Sequence, residues 1–171
     1  MPKLSEILIE DTTVSDVSSV VLNPMDSTYN VYKVVMKNIV PATDNQQIRL
    51  RLHNASGAVT SSNYDTATHC IKAAAGNEVD AHAGDTSSSL SQQELGTAAG
   101  EVGNGILYIF NSQTSEATGV IMQMACVDDN SNAFGSFGEA VLNVSEAHVA
   151  VEIFMASGNI SGSFKLYGLV K

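Results

Sequence analysis

The stretch QQIRLRLH, residues 46–53, decides the fold class. Its apolar side chains fall on every second residue, namely Ile48, Leu50 and Leu52. The alternate positions are polar: Gln47, Arg49, Arg51 and His53. Because successive side chains of a β-strand point to opposite faces, this pattern predicts a strand with one face in a core and one in water. Sheets of this kind are commonly antiparallel.

A second strand pattern precedes this one. Residues 29–40, YNVYKVVMKNIV, are rich in β-branched and aromatic residues. Alternation places Tyr32, Val34 and Met36 on one face, and Val31, Val35 and Ile39 on the other. Both faces carry large apolar groups, so we expect both to be covered. The five-residue connection PATDN, residues 41–45, predicts an antiparallel hairpin between the two strands.

Further strand patterns follow at intervals of roughly ten to fifteen residues, without the alternating helices that parallel sheets need. They predict an all-β fold: an antiparallel β-sandwich, jelly-roll-like. In the last pattern, Ile160, Phe164, Leu166 and Val170 share one face, so we expect a C-terminal strand between other strands. The patterns lie at residues 17–22, 105–110, 119–127, 135–144, 147–155 and 159–170.

The middle of the chain, residues 54–104, is rich in Ala, Gly, Ser, Thr and Asn. Long loops are expected here, with one short helix where SQQE, residues 91–94, matches a capping box. The segment NYDTATHCIKAAAG, residues 63–76, fits a short helix or a strand. We favour a strand, with one face formed by Tyr64, Thr66, Thr68 and Cys70. The predicted organisation is an N-terminal arm, residues 1–16, and a single β-sandwich domain, residues 17–171.

Composition restricts the partners. The chain has 18 Asp and Glu against 8 Lys and Arg, a net charge of −10. Such a protein repels phosphate backbones, so nucleic acid and anionic membrane surfaces are poor partners. No apolar run reaches the length of a membrane span, and the N-terminus lacks a signal-peptide pattern. We therefore expect no membrane insertion, synthesis in a cytoplasm, and two reduced cysteines, Cys70 and Cys126, the latter buried.

The sequence contains no nucleophile elbow, P-loop, complete dinucleotide-binding motif, HExxH or CxxC. We predict no enzymatic activity, no catalytic or cofactor-binding residues, no cofactor and no metal. His53 and His148 fall in the polar phase of their strands and are expected to face solvent. One alternative is a zinc site, although its candidate ligands lack the usual spacing. Another is a calcium site in VDDNSN, residues 127–132, a segment that we instead interpret as a turn. The zinc candidates are His69, Cys70, Asp80 and His82.

Three segments resemble a family of small structural proteins of tailed bacteriophages, especially phages of marine bacteria. They are TYNVYKVVMKNIVPATDNQQIRLRLH, residues 28–53, GEVGNGILYIFNSQTS, residues 100–115, and MASGNISGSFKLYGLVK, residues 155–171. An aromatic strand, a PATD-like turn, an alternating strand and a final LYG ending recur there in this order. The resemblance implies a virion component, a tail fibre or other appendage. No catalytic or receptor-contacting residue can be assigned from this resemblance.

Two functions from different classes remain open. The first is a structural virion protein, either a tail fibre or spike or a capsid-surface decoration, that contributes to host attachment. It would be a homo-oligomer, with a trimer favoured because it would bury the second face of YNVYKVVM, and would contact other virion proteins. The alternative is a lectin-like module in which Tyr64 and the loops of residues 54–104 contact host glycans.

Overall fold

A computed structural model describes residues 6–74 and 76–170. These residues form thirteen β-strands and no helix. None of them therefore lies in a helix long and apolar enough to cross a membrane. The strands are β1 Glu6–Val17, β2 Ser19–Leu22, β3 Val31–Pro41, β4 Ile48–Asn54, β5 Gly57–Ala58, β6 Tyr64–Lys72, β7 Gly76–Asp85, β8 Ser88–Ser89, β9 Gly103–Phe110, β10 Thr118–Val127, β11 Ala133–Leu142, β12 Ala150–Met155 and β13 Ile160–Leu169.

Two antiparallel sheets make up the fold. The large sheet has eight strands in the order β1-β13-β3-β9-β10-β11-β6-β7. The small sheet has the order β2-β12-β4-β5, and β8 also pairs with β4. This confirms the all-β sandwich. Its jelly-roll connectivity stays a prediction.

The core lies between the inner faces of the two sheets. In the large sheet, β10 alternates between buried and outward-facing residues, with Val120, Met122 and Met124 buried. In the small sheet, Leu50 and Ile153 belong to the same buried cluster. The prediction that Ile48, Leu50 and Leu52 face the core is confirmed, with each at most 1% exposed.

The C-terminal strand is internal, as predicted. β13 pairs with β1 on one side and with β3 on the other. Ile160, Phe164 and Leu166 are completely buried. Fully burying two side chains such as Phe164 and Leu166 contributes about 3–6 kcal/mol, at about 1.5–3 kcal/mol each. The prediction for Val170 is wrong, because it follows the last strand and is exposed.

The predicted hairpin between β3 and β4 is wrong. β3 pairs with β13 and β9 in the large sheet, whereas β4 pairs with β12, β5 and β8 in the small sheet. The PATDN connection thus crosses from one sheet to the other. A short polar turn allows either course, and the pairing is decided by strands distant in sequence.

One residue of β3 lies on the face opposite to the predicted one. Tyr32, Val34 and Met36 are buried as expected, but Ile39 is buried with them. The register of β3 shifts between Met36 and Ile39, and Asn38 has a positive φ of 53°. The extra residue of such a bulge reverses the alternation, which brings Ile39 into the core.

The middle of the chain is more regular than expected. β6 and β7 form an antiparallel hairpin that extends the large sheet beyond β11. The strand interpretation of β6 is confirmed, with Tyr64, Thr66, Thr68 and Cys70 all buried. The predicted helix at residues 91–94 is wrong, because this segment is an irregular connection. Small polar residues concealed the hairpin, since few of its side chains are apolar enough to mark an alternation.

The segment that we interpreted as an N-terminal arm belongs to the sandwich from Glu6 onward. β1 lies along β13 from Glu6 to Val17, at one edge of the large sheet. Residues 1–5 of the arm lie outside the described residues. The other end of the same sheet is β7, so the eight strands are bounded by an N-terminal strand and by the central hairpin.

Candidate functional site

The outer face of the large sheet carries an unusual number of apolar side chains. Strand alternation sends every second residue of β10 and β11 away from the core. On this face Ile121 is 51% exposed, Phe137 42% and Ile71 49%, and Val79 on the edge strand is 77% exposed. Exposed apolar groups that lie on neighbouring strands form a patch, and such patches mark interaction sites.

A groove of about 620 Å³ runs across this face. Its floor is made by Ala125 on β10 and Gly135 on β11, which face outward, and by the backbone of Gly105 on β9. Its walls include Val35 on β3 and Phe137 on β11. The groove exists because Ala125 and Gly135 have side chains too small to fill the space between these walls.

Two of the glycines contribute differently. A Cβ at Gly105 would collide with the sulfur of Met124, so that position requires glycine for packing. A Cβ at Gly135 would meet only the carbonyl oxygen of Met124, at 3.7 Å. A larger residue is therefore sterically possible at Gly135, and its side chain would occupy the groove.

The Phe137 ring in the wall of the groove packs against a neighbouring aromatic ring. Phe137 pairs with His69 across β11 and β6, and the ring centroids are 5.1 Å apart at an angle of 52°. Val79 is the next residue across the sheet, on β7. The His69 ring therefore packs beside the Phe137 ring at the edge of the groove.

Two ion pairs on this face lie towards the β1 edge. Lys165 on β13 bonds Asp11 on β1 at 2.7 Å, and Lys33 on β3 bonds Glu6 at 2.8 Å. Both pairs are at least partly exposed, so each contributes little stability. The charges within each pair balance, and nearer the centre of the face lie Lys37, beside the groove, and Glu139 on β11.

The outer face of the small sheet has a different character. The carboxylate of Glu152 on β12 lies 3.2 Å from Nε2 of His53 and 3.8 Å from the guanidinium of Arg51, both on β4. The Arg51 guanidinium also lies over the ring of Phe154, 4.3 Å from its centroid. His53 does lie on the outer face, as the alternation predicted, but it is half-buried in this cluster. The cluster offers several hydrogen-bonding groups around one aromatic ring.

The zinc candidates do not converge. Cys70 points into the core and His69 to the outer face, because they are neighbours on one strand. His82 lies within 3.0 Å of its own neighbour Asp80. Across residues 6–74 and 76–170, no group of three or more His, Cys, Asp or Glu side chains is arranged to hold a metal ion.

The segment VDDNSN forms a turn, as we interpreted it. Oδ1 of Asp128 accepts hydrogen bonds from the backbone N–H groups of Asn130, at 3.0 Å, and Asn132, at 2.7 Å. Asp128 is only 4% exposed, and these bonds satisfy the buried carboxylate. Its role is to cap the turn between β10 and β11.

The prediction that His148 faces solvent is wrong. Its side chain is completely buried, and Nδ1 lies 2.8 Å from the hydroxyl of Thr118. Burial lowers the pKa of His148, although Glu146, 3.7 Å away, opposes this shift. β12 begins only at Ala150, so residues 147–149 are not in the strand whose alternation we used. His148 instead fastens the preceding connection to the start of β10.

The prediction that Tyr64 contacts glycans is also wrong. Tyr64 is 1% exposed, and its hydroxyl donates to the carbonyl of Val59, at 3.0 Å, and accepts from the N–H of Leu52, at 2.9 Å. Burial raises the pKa of Tyr64 to about 12. The residue connects the two sheets and is unavailable to a ligand.

Both cysteines are free, as predicted, and both are buried, although burial was predicted only for Cys126. Burial raises the pKa of the Cys126 thiol to about 12 and also raises that of Cys70. Thiols of this kind are poor nucleophiles at neutral pH, since the thiolate is the reactive form. They are core residues of the large sheet.

The sequence contained an unused signal for the groove. In residues 105–110, 119–127 and 135–144, both phases of the alternation are apolar, as Ile106, Ile121 and Phe137 show. A strand with one solvated face has a polar outer phase. Apolar residues in both phases therefore indicate that the second face is also covered or binds something.

No protein-family model and no curated protein matches this chain. Solved structures with some similarity include CG-16, a homodimeric agglutinin from chicken liver. That match has 7% identity and a TM-score of 0.34, and covers 86% of this chain and 98% of the agglutinin. Another is a fructofuranosidase from Schwanniomyces occidentalis, at 8% identity and a TM-score of 0.27, covering 100% of this chain and 35% of that one. Similarity at this level assigns neither family nor activity.

Proposed function

We propose that this protein is a non-enzymatic structural subunit of a tailed-bacteriophage particle, a tail fibre or spike or a capsid-surface decoration. It would be made in the host cytoplasm and then built into the virion. The observation that carries the proposal is the apolar outer face of the large sheet, with its groove between Val35 and Phe137. A face of this kind suits a protein that assembles, because association removes the apolar surface from water.

The resemblance to phage structural proteins supports the same proposal. Its three segments include β3, β9 and β13, which lie side by side in the large sheet. Two of these strands also contribute Val35 and Ile106 to the groove. The shared motifs and the proposed assembly surface therefore occupy the same part of the fold.

We propose no catalytic role, and the surroundings of the acidic side chains and of the groove support this. The carboxylate of Glu152 is occupied by contacts with the side chains of His53 and Arg51. Buried Asp128 caps a turn. The groove itself is lined mainly by apolar and amide side chains, with one cation, Lys37. Such a lining favours adhesion over proton transfer.

Particles of a bacteriophage that carries this gene provide the test. We expect mass spectrometry of gradient-purified particles to detect the protein at a fixed ratio to the major capsid protein. Immunogold labelling should then place it on either the tail or the capsid surface. A protein that is abundant in the infected lysate and absent from purified particles would contradict the proposal.

A second candidate function is glycan binding, favoured by the cluster of Arg51, Glu152, His53 and Phe154. Its hydrogen-bonding groups surround an aromatic ring, which suits the hydroxyls and apolar faces of a sugar. Glycan-array binding that is lost in Glu152→Gln and competed by free sugar would support it. Glycan binding that Glu152→Gln leaves unchanged would contradict the assignment of the site to this cluster.

A further inference from the structure

The outer face of the large sheet is arranged in two adjacent rows that cross the strands. The register aligns Val35, Ile106, Gln123 and Phe137 on β3, β9, β10 and β11, and we call these the bulky row. Two residues along the strands, the register aligns Asn104, Ala125 and Gly135, the small row. The groove lies over the small row and the bulky row forms one of its sides.

We propose that a second copy of this chain covers this face, with each Phe137 inserted into the partner's groove above Ala125 and Gly135. This deepens the proposed assembly role, on which it rests, by naming the partner. The two copies are related by a two-fold axis that lies between their facing sheets, perpendicular to the strands and midway between the two rows. The bulky row of one copy then meets the small row of the other, and the contact closes with two copies.

The size of the face agrees with this partner. Six strands, β3 to β7 in sheet order, contribute to the outer face. The axis between the rows also brings in the next row on either side, and these outer rows include Ile121 and Ala133. With about 4.8 Å between strands and about 6.8 Å between same-face residues, these four rows cover roughly 780 Å². Two copies would bury about 1,600 Å², the usual size of specific protein interfaces.

The charge distribution also permits self-association of an acidic chain. Neither row contains a charged residue, although Lys37 borders the groove and Glu139 lies beside Phe137 on β11. The nearest ion pair in line with the bulky row is Asp11 with Lys165, towards the β1 edge. Interface centres are typically depleted of charge and enriched in aromatic residues. Phe137, held beside His69, would be the central anchor.

The arrangement differs from the trimer that we predicted from the sequence. Each face carries both the projecting ring and the groove that accepts it. Two copies therefore satisfy both features, whereas a third copy would find this face occupied. The trimer was predicted because it would bury the second face of β3. The proposed dimer buries the same face through Val35.

The test measures the mass of the full chain by sedimentation velocity and light scattering at micromolar concentrations. We expect the unaltered protein to be a dimer. Phe137→Glu and Gly135→Leu should each weaken the dimer at least about tenfold, the first by charging the anchor and the second by filling the groove. Val149→Glu is the matched control, because Val149 is similarly exposed, at 37%, and lies outside the large sheet. Circular dichroism and melting curves confirm that each variant is folded.

A rescue separates a direct contact from a general effect on solubility. The double variant Phe137→Glu/Gly135→Lys should dimerise more tightly than Phe137→Glu, because the two-fold contact places each new acid beside the partner's new base. A monomeric or trimeric unaltered protein, or a dimer that resists both single variants, would overturn the proposal. A dimer that is absent from phage particles would instead refute only the proposed function, and a particle component that is monomeric would refute only this inference.

Discussion

The hydroxyl of Tyr64 should stabilise the sandwich by joining its two sheets. Tyr64 lies on β6 of the large sheet, and its hydroxyl bonds the N–H of Leu52 on β4 and the carbonyl of Val59. Tyr64→Phe keeps the ring and removes both bonds. At about 0.5–1.5 kcal/mol for each buried hydrogen bond, the loss is about 1–3 kcal/mol. For a chain of this length, a loss of about 2 kcal/mol lowers the melting temperature by roughly 4–8 °C.

Urea and thermal unfolding, followed by circular dichroism at pH 7, measure this loss. All samples need the same protein concentration, because self-association would add to the apparent stability. Tyr167→Phe is the control, since the Tyr167 hydroxyl has no hydrogen bond to any described residue. We expect that variant within about 0.5 kcal/mol of the unaltered protein. If Tyr64→Phe is equally stable, the hydroxyl does not connect the sheets and our account of its burial fails.

Three further predictions follow from the core. Leu50→Ala should lower the free energy of unfolding by about 2–5 kcal/mol, measured by urea titration, and an unchanged midpoint would refute the register of β4. Burial raises the Cys126 pKa from 9.0 to about 12. The buried, neutral Cys126 thiol therefore contributes its full stability below pH 9, and this contribution is lost as the pH rises to 12. We expect Cys126→Ala to show a shallower alkaline decline in melting temperature than the unaltered protein. Deleting residues 159–171 removes β13 from between β1 and β3 and should give insoluble or unfolded protein. A soluble truncated chain with unchanged circular dichroism and oligomeric state would contradict this.

The core faces of several strands were predictable from the sequence. In β4, the alternation of Leu50 and Leu52 with arginines identified the buried side, and in β13 the same reasoning identified Phe164 and Leu166. These predictions succeeded because alternation is a local property of the extended backbone. Wherever a strand continues without a bulge, one correct residue determines the side of all the others.

The errors arose where the alternation was interrupted or absent. Ile39 changed faces because a bulge added one residue to β3. His148 was placed by the phase of a strand that begins only after it. In the candidate site, Phe137 and Ile106 could have been suspected from apolar residues in both phases, but their position beside one groove could not.

The sequence by itself determined the fold class, the buried faces of the clearest strands and the lack of recognised catalytic motifs, since all three are properties of short segments. Only the tertiary structure decided that β3 and β4 lie in different sheets, that Tyr64 connects those sheets, and that Gly105, Ala125 and Gly135 form one groove floor. These features depend on which strands are neighbours. The pairing of β9, β10 and β11 is set by the packing of one shared core, and a local pattern carries no record of its distant partner.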